Sequence, residues 1–194
     1  MQVRTATSDD LTAVVDTAAR SLAAEAMLRW SFGEERFEER IRRHFTHYDG
    51  ENVRHGWVRT VADGAGIAVW IPPGSREDHE AIGPAPAGGE AEILGDHAER
   101  HASFWGWVGD HEPAEPLLYL SHISVAPERQ GEGLGTALLR DGLAVADRLS
   151  VPSWLETSRA NNAAYYERFG FRTVVEEDAP DGGPRIWFMR RDPA

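Results

Sequence analysis

The sequence contains no cysteine, which excludes disulfide bonds, a thiolate metal site and a cysteine nucleophile. It also contains no apolar run of about 18 residues, so no segment is expected to cross a membrane. The first ten residues lack the charged and then apolar layout of a secretory signal. A cytoplasmic enzyme is therefore expected.

Basic residues are scarce relative to acidic ones. Lys and Arg together number 20, against 32 Asp and Glu, which gives a formal net charge of -12. Because polyanion binding depends on clustered basic side chains, this balance argues against nucleic acid as a partner. The same charge favours cationic small molecules near the protein.

The length of 194 residues predicts a single compact domain. Seven tryptophans are more than such a core usually buries, so several are expected to line a pocket. Alternating strands and helices that end in a hairpin predict an α/β fold with a mixed sheet flanked by helices. Strands are predicted at 2–6, 56–61, 67–71, 117–125, 153–156, 171–176 and 185–189. Helices are predicted at 11–22, 34–48, 90–107, 133–149 and 160–169, with a loop or short helix at 23–33 and a loop at 75–90.

A glycine-rich turn between a strand and a helix is the sharpest motif. The strand ends at Val125, and Gln130, Gly131, Gly133 and Gly135 follow directly before the helix. Glycines let successive backbone amides converge on one anion, and the helix N-terminus adds unsatisfied donors. The turn therefore predicts a phosphate or pyrophosphate site.

Three glycine-loop motifs and one purely structural interpretation compete for this turn. A P-loop requires a Lys that is absent here, and a dinucleotide fingerprint requires a glycine where Thr136 stands. The pattern Q/R-x-x-G-x-G/A is satisfied by Gln130, Gly133 and Gly135. A glycine turn that only packs a helix on a strand is the structural alternative, which the strand–turn–helix context makes less favourable.

The segment 153–171 provides independent support. Asn162 and Tyr166 are four residues apart at the start of a predicted helix and so lie on one face, and Gly170 ends that helix. An amide and a phenol on one face fit an extended ligand.

These two motifs together resemble the GNAT acetyltransferase superfamily. The segments 67–73, 81–84, 155–158, 165–171 and 183–191 are further similar to the puromycin N-acetyltransferase branch of that superfamily. The resemblance implies the GNAT fold: a mostly antiparallel central sheet flanked by helices, with a splayed fourth strand and a C-terminal hairpin. It also implies an acceptor-side half at 1–115 and an acetyl-CoA-binding half at 116–194.

The resemblance also implies roles for individual residues. Ser124 and Val125 would offer backbone groups to the pantetheine arm, which Asn162 would also contact. Tyr166 would lie near the thioester sulfur as general acid. The pyrophosphate would be surrounded by Arg129, Gln130, Gly131, Gly133, Leu134, Gly135 and Thr136.

The general base is left open by the sequence. Candidates are His122, its neighbours Tyr119 and Ser121, and a water held by backbone carbonyls. Strand alternation places 119 and 121 on one face and 122 on the other, unless a bulge changes the parity. His122 is the catalytic candidate beside Tyr166.

The acceptor pocket is expected among aromatic side chains, which would suit an apolar or aromatic amine. The residues predicted to line it are Trp30, Phe32, Trp70, Trp105, Trp107, Tyr119 and Ser121. No metal is expected, because His97 and His101 have helical spacing but no third ligand.

The sequence thus predicts transfer of an acetyl group from acetyl-CoA to a primary amine of a small molecule, such as an aminonucleoside or an antibiotic-like amine. A monomer or homodimer with no nucleic-acid or membrane partner is expected. Two alternatives stay open: a peptide or protein N-acetyltransferase, and a non-catalytic acyl-CoA-binding module.

Overall fold

The computed structural model describes residues 1–82 and 93–194. Its centre is a seven-stranded sheet in the order β1-β2-β3-β4-β5-β7-β6. Only the β4–β5 pair is parallel; the other neighbours are antiparallel. The strands are β1 (Arg4–Thr5), β2 (Val58–Val61), β3 (Gly66–Ile71), β4 (Leu118–Val125), β5 (Ser153–Thr157), β6 (Arg172–Asp178) and β7 (Arg185–Arg191).

Helices cover both faces of this sheet. One face packs against α1 and α3, and the other against α6 and α7. Apolar residues at helical spacing drive this packing, as with Phe37, Ile41 and Phe45, which α3 buries. The helices are α1 (Leu11–Ser21), α2 (Ala26–Phe32), α3 (Phe37–Arg54), α4 (Arg76–Ile82), α5 (Ala98–Asp110), α6 (Leu134–Leu149) and α7 (Ala160–Glu167). No helix in the described ranges is long and apolar enough to cross a membrane.

Most predicted elements are confirmed, and the differences have local causes. The third helix continues to Arg54, beyond the predicted end at residue 48. Its last turns bury Asp49 and Asn52, which are polar, so the apolar pattern used to predict the helix does not extend over them. The predicted loop at 75–90 is wrong at Arg76–Ile82, which is helical. Residues 83–90 of that loop, the predicted helix start at 90 and the second half of the segment 81–84 lie outside the described residues.

The fourth and fifth strands separate after a short pairing. Only Leu118 with Ser153 and Tyr119 with Trp154 are in register, although β4 continues to Val125 and β5 to Thr157. The predicted splay is therefore confirmed. Because the two strands share no further ladder, their facing edges line an open space.

A bulge in β4 lies at the same place. Val69 of β3 is opposite His122, and the next residue, Trp70, is opposite Leu120, so Ser121 is an extra residue in β4. The bulge changes the parity of the strand. Tyr119 and His122 therefore both face α3, which plain alternation does not allow.

Candidate active site

One cavity of about 1290 Å³ occupies the space between the splayed strands. The part that we call the loop end is lined by Val125, Gln130, Gly135, Arg159, Asn161, Asn162, Tyr165 and Tyr166. The part that we call the helical end is lined by side chains from α3, α4, α5 and β4, including Phe45, Tyr48, Arg76, His79, Glu80, Trp105, Asp110, Glu112, Tyr119 and Ser121. Glu156 and His122 line the cavity at the strands themselves.

The glycine turn at the loop end leaves room for a ligand against its backbone. Gly131 and Gly133 have φ values of 84° and 81°, and a Cβ added to either would meet no atom within 4 Å. Gly133 is the N-cap of the 16-residue helix α6, whose first amides have no partner within the helix. These open amides and the helix dipole fit a diphosphate group.

The predicted coenzyme residues divide into those that line the cavity and those that do not. Val125, Gln130, Gly135, Asn162 and Tyr166 line it. Gly131, Gly133 and Thr136 belong to the turn and to the first turn of α6.

The other predicted coenzyme residues have contacts within the fold. Arg129 forms a two-bond ion pair with Glu132. The Leu134 side chain is buried in the core, so only its backbone is available to a ligand. Ser124 faces α3 and is buried there, with its Oγ 3.5 Å from Nδ1 of His122.

The backbone amide of Val125 lies on the cavity edge of β4. Its neighbour Ala126 donates to Ala65 on the β3 side, so alternation points the Val125 amide toward the splay. In the structure this amide donates to the Ser21 hydroxyl, with an N–O distance of 3.3 Å. The Val125 amide therefore faces the splay but already has a side-chain partner from α1.

Tyr166 brings a phenol to the loop end of the cavity. Burial raises the pKa of Tyr166 well above its usual value, and nearby Tyr165, Glu25 and Glu156 add to the increase. The hydroxyl therefore keeps its proton at neutral pH. Within the described part of the chain it has no hydrogen-bond partner, which leaves the proton available to a ligand.

Glu156 is a functional candidate that sequence reasoning missed. Its Oε1 accepts a hydrogen bond of 2.8 Å from the Tyr119 hydroxyl, whereas its buried Oε2 has no partner among the described residues. Burial raises the pKa of Glu156 to about 8 despite this bond, and Glu112 adds to the increase. The sequence signal was present: a glutamate interrupts an interior strand whose five residues are all buried.

His122 lies in a different setting. Its Nε2 is 3.0 Å from Oδ1 of Asp49, a carboxylate of α3 with no exposed surface, and its Nδ1 faces Ser124. The bulge residue Ser121 hydrogen-bonds Tyr48 at 2.7 Å, and Tyr48 bonds His79 at 2.5 Å. Burial lowers the pKa of His79 to about 4, so this histidine is neutral at physiological pH.

Some of the residues predicted to line the acceptor pocket lie in the cavity wall and others do not. Trp105, Tyr119 and Ser121 line the cavity, as expected. The expectation is wrong for Trp30, Phe32, Trp70 and Trp107, which are absent from the cavity wall.

These four side chains are used in packing instead. Trp30 lies against Phe104 with a ring separation of 5.9 Å, and Trp107 packs on Phe104 and Phe188. Phe32 is fully buried among the rings of Phe37, His44 and His101. Trp70 points to the opposite face of the sheet, where its indole lies directly over Gly142 of α6. Helical and strand periodicity could not separate core rings from pocket rings.

No group of three or more His, Asp or Glu side chains suited to a metal ion occurs in the described ranges.

The known proteins that this chain resembles are acetyltransferases. Residues 92–173 match the family model described as Acetyltransferase (GNAT) domain. An uncharacterized N-acetyltransferase of Schizosaccharomyces pombe is 24% identical over 147 residues, covering 71% of this chain and 60% of that protein. A mycothiol acetyltransferase of Nocardia farcinica is 32% identical over 146 residues, covering 74% of this chain and 42% of that protein. The chain thus spans less than two thirds of the length of these relatives.

Solved structures resemble the whole chain. The histone acetyltransferase HPA2 and related acetyltransferase of Corynebacterium glutamicum has a TM-score of 0.68 at 23% identity, covering 100% of this chain and 96% of that one. The PaiA N-acetyltransferase of Thermoplasma acidophilum, solved with coenzyme A, has a TM-score of 0.59 at 14% identity and 98% coverage of both chains. These likenesses establish the fold, which is the GNAT fold that the sequence motifs predicted.

Proposed function

We propose that this GNAT-fold chain is an acetyl-CoA-dependent N-acetyltransferase that acts on a primary amine of a small molecule. One observation carries the proposal: a single cavity joins the glycine turn of α6 to two titratable groups, Tyr166 and Glu156, at the strand splay. An anion cradle and an acid–base pair in one cavity are what acyl transfer from a coenzyme thioester requires.

The loop end is where the coenzyme would be held. Backbone amides between 129 and 136 would bind its diphosphate, and Val125 and Asn162 would bind the arm that follows. When bound, acetyl-CoA supplies the acetyl group as a thioester whose sulfur leaves as a thiolate. Ser21 would have to release the Val125 amide for that amide to bind a ligand carbonyl.

The protein's own contribution to the chemistry is to hold and move two protons. Tyr166 keeps a proton on its hydroxyl, because its pKa is raised, and we assign it as the acid. The usual pKa values of a phenol and a thiol are about 10 and about 8.5, and burial of Tyr166 widens this gap, so its proton would move only as negative charge develops on the departing sulfur.

We assign Glu156 rather than His122 as the base. Both ring nitrogens of His122 have partners in the fold, Asp49 and Ser124. Glu156 lines the cavity, its buried Oε2 has no partner among the described residues, and its pKa of about 8 suits proton removal near neutral pH. His122 then serves to fix α3 against β4 through Asp49.

Membership of the puromycin N-acetyltransferase branch remains part of this proposal. The resemblance over 67–73, 155–158, 165–171 and 183–191 supports it, and the mycothiol acetyltransferase relative is compatible with a small acceptor. A peptide acceptor is the second candidate within the same chemistry.

The test is thiol release from acetyl-CoA in the presence of primary amines and short peptides, with coenzyme affinity measured by calorimetry. We expect acetyl-CoA to bind and at least one small amine to be acetylated. Coenzyme binding without turnover on any acceptor would instead identify a non-catalytic module. Failure to bind the coenzyme would reject the proposal altogether.

A further inference from the structure

The end of α1 lies at the cavity, beside the edge of β4 that faces the splay. Ser21, the last residue of α1, is half-buried and lines the cavity wall. Its hydroxyl oxygen accepts the hydrogen bond from the backbone amide of Val125, with an N–O distance of 3.3 Å. A bond of this length is weaker than a well-formed one, so a better-placed oxygen can replace the hydroxyl.

The hydroxyl proton of Ser21 is available to a ligand. Among the described residues, Ser21 accepts the bond from Val125 and donates to no acceptor, although a serine hydroxyl can do both. An oxygen about 2.9 Å from an amide nitrogen and about 2.7 Å from a hydroxyl oxygen has ordinary hydrogen bonds to both. These two lengths close a triangle with the 3.3 Å between the Val125 nitrogen and the Ser21 oxygen. One ligand oxygen can therefore accept from both groups.

Two ion pairs hold this end of α1 between the walls of the cavity. Arg20 pairs at 2.9 Å with Glu128, which lies in the loop after β4. The buried carboxylate of Glu25 pairs at 3.3 Å with Arg159, in the connection between β5 and α7. The segment that contains Ser21 is thus fixed to both sides of the splay. Its hydroxyl therefore stays beside the cavity after it releases the amide.

The same segment lies near the proposed acid. Burial raises the pKa of Tyr166, and the charge of Glu25 adds to the increase, so the two side chains are close together. Tyr166, Val125 and Ser21 all line the cavity. Two donors for a carbonyl oxygen and one for a sulfur match the atoms on which negative charge develops when a thioester transfers its acyl group.

We infer that Ser21 is a further catalytic residue, whose hydroxyl releases the Val125 amide when acetyl-CoA binds and then donates, beside that amide, to the thioester carbonyl oxygen. This inference rests on the proposed function and adds a group to its chemistry. Ser21 keeps its proton and stabilises the charge that develops on the oxygen, whereas Tyr166 acts at the sulfur. In the structure, the hydroxyl occupies the place that the carbonyl oxygen would take.

The first test measures the infrared stretching frequency of the thioester carbonyl, isotope-labelled at its carbon, in bound acetyl-CoA. Hydrogen bonds to a carbonyl oxygen weaken the C=O bond and lower this frequency, so the shift reports the donors without any turnover. We expect binding to wild type to lower the frequency and Ser21→Ala to lose part of that shift. Ser21→Thr keeps a hydroxyl and should keep the shift.

The second test measures turnover and affinity. Ser21→Ala should lower kcat by about 100-fold, as removal of a single oxyanion donor does. The Kd for acetyl-CoA should stay within about threefold, because an interaction made mainly in the transition state changes kcat rather than affinity. Ser21→Thr should restore most of the activity. Thr12→Ala removes a hydroxyl from an exposed position in the first turn of the same helix and should change neither quantity.

Several results would overturn the inference. An unchanged carbonyl frequency in Ser21→Ala would do so, as would an equal loss of the shift in Ser21→Thr. A kcat for Ser21→Ala equal to or above that of wild type would make Ser21 only a cap on the amide, and an equal loss in Thr12→Ala would assign the effect to the stability of α1. Thiol release with no amine, despite a carbonyl shift that depends on Ser21, would instead reject the proposed function and leave the contact standing.

Discussion

The two ends of the cavity are built from different parts of the chain. The loop end depends on the backbone of one continuous segment, 125–136, followed by α7. The helical end depends on side chains from α3, α4, α5, β4 and β5, which the fold brings together from distant positions. A site made of backbone amides is sensitive to added atoms, whereas a site made of side chains is sensitive to the loss of single atoms. The two ends should therefore respond to opposite kinds of substitution.

The largest effect is expected from adding atoms at the loop end. Gly133→Val places a branched Cβ in the space where the diphosphate would lie, at a φ of 81° that valine does not favour. We expect the Kd for acetyl-CoA, measured by calorimetry, to rise by about 1000-fold or more, as charge-assisted bonds to several amides are lost.

A matched control separates this steric effect from backbone strain. Gly56 also has a positive φ, 74°, and an added Cβ there would likewise meet no atom within 4 Å, but it lies directly after α3 and outside the glycine turn. Gly56→Val should cost similar stability and leave the Kd unchanged. Equal affinities in the two variants would show that the turn does not hold the coenzyme.

Removing one oxygen at the junction of the two ends should have the next largest effect. Tyr166→Phe keeps the ring that packs on Tyr165 and Phe171 but removes the proton. We expect kcat to fall by about 100-fold, in the range usual for a general acid, with the coenzyme Kd within about twofold of wild type. An unchanged kcat would contradict the role of Tyr166 as the acid.

The contrast between the ends also explains how much could be predicted from sequence. The glycine turn and Asn162–Tyr166 are local patterns, because their ligand contacts follow from a strand, a turn and the start of a helix in order. The C-terminal hairpin followed from the strand and turn pattern, and the splay followed from the resemblance that the two motifs support. The position of the glycine turn and of Asn162 and Tyr166 at one end of the cavity could therefore be predicted from sequence, whereas their roles toward a coenzyme stay predictions.

The helical end was predicted poorly because its residues are far apart in the sequence and form no local motif. Nothing in the sequence shows that Tyr48 meets Ser121, or that Trp70 and Trp105 lie on different faces of the sheet. The bulge at Ser121, which brings His122 to the α3 face, depends on pairing with β3. The one local clue was Glu156, a charge in an otherwise uncharged buried strand.

The smallest expected effect is on the free energy of unfolding, and it comes from the burial of the Glu156 carboxyl group. Its pKa is raised to about 8 from a usual value of 4.5, so between these values the folded state binds a proton that the unfolded state lacks. The contribution of this proton to the free energy of unfolding is fully present below about pH 4.5 and is lost as the pH rises toward 8. Since a tenfold change in proton affinity corresponds to about 1.4 kcal/mol, wild type should lose roughly 2 kcal/mol between pH 6 and pH 8 from this group.

Glu156→Gln keeps the size and the hydrogen bond from Tyr119 but cannot ionise, so this part of the pH dependence should disappear. Urea unfolding at several pH values measures it, with Glu167→Gln, an exposed position on α7, as the control that retains the wild-type profile. The Glu156 variant should therefore gain stability relative to wild type above pH 8 while losing activity at every pH.

Identical profiles for all three proteins would mean that Glu156 is solvated and lacks the raised pKa on which its assignment as the base rests. A gain in stability coupled to a loss of turnover would instead show that the helical end retains an unfavourable carboxylate because the chemistry requires it.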